Sequence, residues 1–158
     1  MAIRQIRQKN DPFLRKKSRD IPELTQKVIE LLDDMKDTMQ KAEGIGISAV
    51  QVGVLRRVIL IETEEGELIE LINPVLLETR GEVLGMEGCL SIHEETGYVY
   101  RPEYVKIKGR NRNWEVVTHE ATGVEAVVFC HEMDHLEGVL FTDKIVELTE
   151  EELEAMKD

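Results

Sequence analysis

Leu24, Val28, Leu31, Leu32, Met35 and Met39 recur at helical spacing through an otherwise charged stretch. That stripe predicts an amphipathic helix over Glu23 to Ala42, closed by Gly44, with its methionines filling core gaps. The pattern then changes. Val58-Ile59-Leu60-Ile61 and Leu68-Ile69-Glu70-Leu71-Ile72 are short β-branched runs joined through a turn at Glu65-Gly66, which predicts paired strands. Further strands are predicted at Tyr98 to Tyr100, Tyr104 to Lys108 and Trp114 to Thr118. Val124 to Phe129 begins a second amphipathic helix, opened by Thr122-Gly123 and closed by Gly138. Thr149 with Glu152 has the form of a capping box and predicts a last short helix. Helix, strands, helix in that order predicts an α+β fold, with mixed or antiparallel strands around a central helix, an N-terminal helix and a short C-terminal one.

Length and charge narrow the reading. A chain of 158 residues is expected to form one domain over residues 1–158. Its longest apolar runs are far short of a membrane span. Asp and Glu number 32 against 20 Lys and Arg, for a net charge of -12. No basic block stands out beyond Arg15-Lys16-Lys17, so an extended phosphate-binding face and a DNA partner are not expected. The acidic stretches Glu62 to Glu70 and Glu147 to Asp158 read as solvated turn and tail. Two cysteines and no apolar N-terminal leader point to a cytoplasmic protein, here expected to be a monomer, with reduced thiols.

The second helix carries His131-Glu132-Met133-Asp134-His135. Residues four apart in a helix differ by only about 40° around the axis, so His131 and His135 share a face and can reach one ion. Glu132 stays within a side-chain length of anything bound there. One histidine on such a face is ordinarily a satisfied core residue. Two with an intervening glutamate are better explained as a divalent-metal site with a proton-transfer group. A catalytic site of this kind takes a third protein ligand. Cys130 would project about 100° from its neighbour His131 and reads as a small buried hydrophobe. Cys89, in a Gly-Cys-Leu-Ser segment, can supply a thiolate, but spacing alone leaves that open. In helical metallopeptidases the third ligand lies downstream, where Glu137 and Asp143 are too near for the usual spacing.

Gly44-Ile45-Gly46-Ile47-Ser48-Ala49-Val50-Gln51 lacks the Lys-Ser/Thr of a phosphate loop. Its glycines fit better as helix terminators that let a peptide-like backbone approach. This run, Glu87-Gly88-Cys89-Leu90-Ser91 and His131 to His135 together resemble, in order, the three signature motifs of the bacterial-type peptide deformylase family. Leu71-Ile72-Asn73-Pro74 between them is also familiar, and the resemblance runs from the first helix to Phe141.

The resemblance implies a metal-dependent hydrolase that removes the N-formyl group from the formylmethionine of new polypeptides and releases formate. It implies Cys89, His131 and His135 as ligands of one divalent ion, Fe2+ in the cell, with Zn2+, Ni2+ or Co2+ able to substitute. Glu132 would be the general base, and the Gln51 amide and Leu90 N–H would hold the oxyanion. Val124, Val127 and Val128 share the His131 face and, with Ile45, are expected to line an apolar pocket for methionine. Gly44, Gly46, Glu87 and Gly88 complete the expected substrate contacts, the glycine backbones pairing with the peptide like an added strand. The tail is short and acidic, so any transient ribosome association is not expected to run through a basic C-terminal helix. Four positions depart from the family pattern: Ser48 for Ala, Cys130 for Gln, His93 for Pro and Thr96 for Arg. His93 reads as a surface residue and His119 as structural. A relative without turnover would be expected to have lost Glu132 or Gln51, and both are present.

Overall fold

The computed structural model describes residues 2–156, excepting the side chains of His93 and Glu94. The first helix, α1, spans Gln26–Lys41. It starts three residues later than expected because the Thr25 side chain accepts from Val28 N–H and fixes the N-cap there. The Gly44 N–H returns to the Met39 carbonyl at 2.9 Å and closes the other end.

The strands are β1 (Gly46–Ser48), β2 (Val58–Glu62), β3 (Leu68–Arg80), β4 (Val83–Cys89), β5 (Ile92–Arg101), β6 (Tyr104–Arg110) and β7 (Val116–Thr122). These strands pair antiparallel, in a five-stranded sheet β1-β2-β3-β6-β7 and a separate β4-β5 hairpin, and an isolated parallel bridge joins Arg19 to Arg56. The metal-motif helix α2 covers Gly123–Leu136, and a short exposed α3 covers Glu150–Ala155 behind the expected Thr149–Glu152 capping box. The α+β arrangement is the one expected.

The sheet's two faces explain the continuous apolar run of β2. Val58 and Leu60 join Leu32, Met35, Met39 and Ile47 on the α1 side. Ile59 and Ile61 join Leu71, Ile107, Phe129 and Leu136 on the α2 side. Alternate residues of one strand therefore fill two cores. Leu14, Ile92, Val99, Leu140 and Phe141 form a third cluster beneath the hairpin.

Three local expectations need correction. The strand begun at Leu68 runs past Pro74 to Arg80, because the pairing with β6 shifts between Ile72 and Val75 and so accommodates a residue with no N–H. Trp114 lies in a turn with φ of 66°, so the last strand starts at Val116 rather than Trp114. Glu70, expected in a solvated turn, accepts from Arg112 Nε at 2.8 Å and Nη2 at 2.7 Å on β3. Strand β4 was not anticipated at all.

Ahead of α1, an extended arm crosses the fold. Ala2 N–H reaches Asp34 Oδ1 at 2.7 Å, and Arg4 N–H reaches Thr38 Oγ1 at 2.8 Å. Farther along, Arg7 N–H donates to the Gln51 carbonyl at 2.7 Å and Lys9 N–H to the Ser91 carbonyl at 2.8 Å. The arm thus ties the glycine run to the tip of the β4-β5 hairpin.

Candidate metal centre and active site

Strand β4 ends on Cys89, and α2 turns His131 and His135 toward it. One ligand atom from each of the three lies within 4.8 Å of the others. Cys89 Sγ stands 3.3 Å from His135 Nε2. Metal bonds of about 2.0–2.3 Å in tetrahedral geometry set ligand atoms roughly 3.4 Å apart, so this edge fits an ion. Burial and the neighbouring positive charges of His131 and Arg101 hold His135 well below its ordinary pKa, neutral and with a lone pair to give. Burial opposes charge on His131, yet Cys89 and Glu87 raise its pKa to about 10, so the surroundings favour a cation at this point. The donor set and its electrostatics both suit a divalent metal.

The rival ligands are elsewhere. Cys130 is buried outside the cluster, and burial pushes its thiol up to about 11. Glu137 accepts from Arg57 at 2.9 Å, and Asp143 is paired with Arg15.

Behind the candidate ligands runs a chain of charges, buried at Glu87 and Arg101, that sequence reasoning missed. His131 Nδ1 meets Glu87 Oε1 at 3.0 Å. Arg101, on β5, donates through Nε and Nη2 to Glu87 at 2.8 and 2.9 Å and through Nη1 to Asp134 at 2.5 Å. Lys144 Nζ also reaches Asp134, at 3.0 Å. Burial works against an ionised Glu87, but Arg101 and His131 overcome it and hold the carboxyl near 2. A fixed carboxylate on the far nitrogen of a ligand histidine sets the ring's tautomer and orientation. Glu87, expected among substrate contacts, lines the cleft, with both carboxylate oxygens engaged inside the protein. Asp134 sits within the helix motif and was readable there, whereas Arg101 carries no local signal.

Glu132 is 4 % exposed, and its Oε1 has no hydrogen-bond partner among the described residues. Burial pushes its carboxyl up to about 7. A Cβ on Gly46 would fall 2.7 Å from Glu132 Oε2 and 2.8 Å from Val128 Cγ1, so glycine is what lets β1 lie against α2 here. Gln51, 1 % exposed, directs Nε2 to Ser91 Oγ at 3.1 Å and Cys89 Sγ at 3.6 Å. Its Oε1 accepts from Ser48 N–H at 2.9 Å and from Ser48 Oγ at 3.1 Å.

A cleft of about 520 Å³ opens onto the cluster. Gly44, Ile45 and Gly46 form one wall, Glu87, Gly88, Cys89 and Leu90 another, and Val124, Val127 and Val128 line it from α2 with His131 and Glu132. Ile45 is 50 % and Val124 55 % exposed, so they form its rim, while Val127 and Val128 are half-buried. Met86, also unanticipated, stands exposed beside them. A larger hollow of about 820 Å³ beneath the N-terminal arm includes none of the candidate ligands. Thr96 is exposed on β5 facing Gly88, His119 pairs with Ile107 within the sheet, and the His93 side chain lies outside the described residues.

Residues 3–151 match the family model for polypeptide deformylase. The chain belongs to that family. Peptide deformylase 1 of Clostridium acetobutylicum is 49% identical over 147 residues, covering 93% of this chain and 97% of the relative. The peptide deformylase of Halothermothrix orenii is 48% identical over 152 residues, or 96% and 99% of the two chains. In three dimensions, the crystal structure of peptide deformylase from Thermotoga maritima superposes with a TM-score of 0.89 at 33% identity, covering 93% of this chain and all 100% of that one. The Ehrlichia chaffeensis enzyme in complex with actinonin gives 0.89 at 30% identity, covering 93% and 91%. No helix among the described residues is long and apolar enough to cross a membrane.

Proposed function

We propose that this chain, acting as one catalytic domain over residues 1–158, hydrolyses the N-formyl group of formylmethionyl nascent peptides to give formate and a free amino terminus. The observation carrying this reading is the meeting of Cys89, His131 and His135 within 4.8 Å at a cleft that Cys89, His131 and Glu132 line, with Gln51 Nε2 directed at Cys89 from behind.

A divalent ion held by Cys89, His131 and His135 would supply Lewis acidity toward the formyl carbonyl and a water molecule. Glu132 is the general base: its carboxylate takes the proton of the attacking water and passes it to the departing amide nitrogen. The Gln51 Nε2–H that rests against Cys89 Sγ at 3.6 Å turns to the oxyanion that forms on the formyl oxygen, and the Leu90 N–H donates to the same atom, a donor of this kind typically contributing about 3 kcal/mol. Glu87, held by Arg101, keeps the His131 ring in place. Val127, Val128, Val124 and Ile45 take the methionine side chain, and the backbones of Gly44, Gly46 and Gly88 align the peptide.

A Cys/His₂ donor set suits zinc and iron(II) alike. Iron(II) in the cell, with zinc, nickel or cobalt as substitutes, is favoured by the family resemblance. The enzyme is cytoplasmic and monomeric on this reading. Any transient ribosome contact avoids α3, whose first turn presents Glu150, Glu151 and Glu152 to solvent.

Anaerobically purified protein given a formyl-Met peptide and the same peptide unblocked tests the reading. Stoichiometric formate from the first, no cleavage of the second and about one metal per chain are expected. Internal cleavage of the unblocked peptide without formate would overturn it. Iron-loaded enzyme should lose activity in air while nickel-loaded enzyme keeps it; equal decay would exclude iron as the native ion.

A further inference from the structure

Gln51 is held between the buried Ser48 and Ser91 and the half-buried Cys89. Ser48, Ser91 and Gln51 are exposed by 1 % or less. A glutamine amide offers two acceptor sites on Oε1 and two hydrogens on Nε2. Here all four are assigned: Ser48 N–H and Ser48 O–H to Oε1, and Ser91 Oγ and Cys89 Sγ to Nε2. Turned end for end, the amide would set Nε2 against the Ser48 N–H and Oε1 against the cysteine sulfur, pairing donor with donor and acceptor with acceptor. Ser48 is also one of the positions where this sequence departs from the family pattern, and an alanine there would leave Oε1 with the backbone donor alone.

We infer that Ser48 is a positioning residue for Gln51: its hydroxyl locks the amide with Nε2–H aimed at Cys89 and strengthens that N–H as a donor. The strengthening follows from hydrogen-bond cooperativity, since a second proton on Oε1 withdraws density from the amide and polarises Nε2–H. Ser48 itself lies behind the amide and touches no reacting atom. The inference rests on Gln51 being the oxyanion donor proposed above.

The test uses metal-loaded enzyme as Ser48→Ala, Gln51→Ala, the double variant and Ser48→Cys. The loss of one neutral hydrogen bond predicts a fall in kcat of roughly threefold to tenfold for Ser48→Ala, with KM and metal content unchanged. Ser48→Cys, close in volume and a weak donor, should fall between Ser48→Ala and the parent. In the Gln51→Ala background, Ser48→Ala should have no further effect. With cobalt in the site, the thiolate charge-transfer band should move to longer wavelength in Ser48→Ala, in the same direction as in Gln51→Ala and by less, because the N–H bond to sulfur is loosened. A parental kcat, an unmoved band, or a full effect persisting without Gln51 would each overturn the inference. An active Gln51→Ala would overturn the reading of Gln51 itself, whereas an inactive Gln51→Ala beside an unaffected Ser48→Ala would remove only the role of Ser48.

Discussion

Replacing Arg101 by leucine takes a guanidinium that is 3 % exposed from between Glu87 and Asp134. Asp134 is the less affected of the two carboxylates, since it is 21 % exposed and keeps Lys144 at 3.0 Å. Glu87 is 5 % exposed and loses both bonds that hold its charge against Arg101, at 2.8 and 2.9 Å. Its remaining partner is the His131 ring. Removing one partner of a buried pair costs about 3–5 kcal/mol, because the other charge is left uncompensated. For a chain of this size each kcal/mol corresponds to roughly 2–4 °C of Tm, so the expected fall is about 6–20 °C. Calorimetry on metal-stripped parent and variant measures it without a contribution from metal binding. Metal affinity should also drop by roughly 10- to 100-fold, as expected when a ligand histidine loses its orienting carboxylate's support. Adding Glu87→Gln to Arg101→Leu removes the stranded charge and should recover part of the lost stability. A single variant melting within about 2 °C of the parent, or a double variant no more stable than the single, would refute the reasoning.

Three further outcomes follow from the same geometry. Glu132→Ala should keep its metal, since the ligands stay intact, and lose turnover by about 100-fold or more; metal analysis beside formate release checks this, and near-parental turnover would remove Glu132 as the base. Gly46→Ala should lower both kcat and stability, the latter by about 1–3 kcal/mol, because the new Cβ falls 2.7 Å from Glu132 Oε2 and Glu132 or β1 must shift. Activity and thermal melts of that variant decide it, unchanged values showing that the contact relaxes freely. The arm should detach in acid: the Ala2 N–H, and then Arg4, against opposing burial, hold the Asp34 carboxyl below its usual 3.8. A depressed folded pKa gives stability that is complete above the unfolded value and is lost as pH falls below about 4. Hydrogen exchange at the Arg4 and Arg7 amides should therefore accelerate in that range, and Asp34→Asn should abolish the dependence; a parental pH profile in that variant would contradict the assignment.

What was legible in the sequence is what is encoded over a few turns of chain. The spacing from Leu24 to Met39, the β2 run and the Thr149–Glu152 box showed where helices and strands form, because period and capping are local properties, although the Thr25 cap that sets the start of α1 went unread. His131 and His135 share a helix face for the same reason. The Cys89 motif was recognisable, but its meeting with the two histidines depends on how the β4-β5 hairpin lies against α2. Strand β4 was hidden because Gly85 and Gly88 break its apolar pattern, and β3 beyond Pro74 because proline ordinarily ends a strand. Arg101 and Glu87 come together through hairpin register, and Ser48 acquires its role from the direction of one buried amide. None of these has a short-range signature. Local periodicity and capping were set by the sequence alone, while the meeting of Cys89, His131 and His135, the Glu87–Arg101 pair behind them and the orientation of Gln51 were decided by tertiary packing, since each needs groups far apart in the chain to come close.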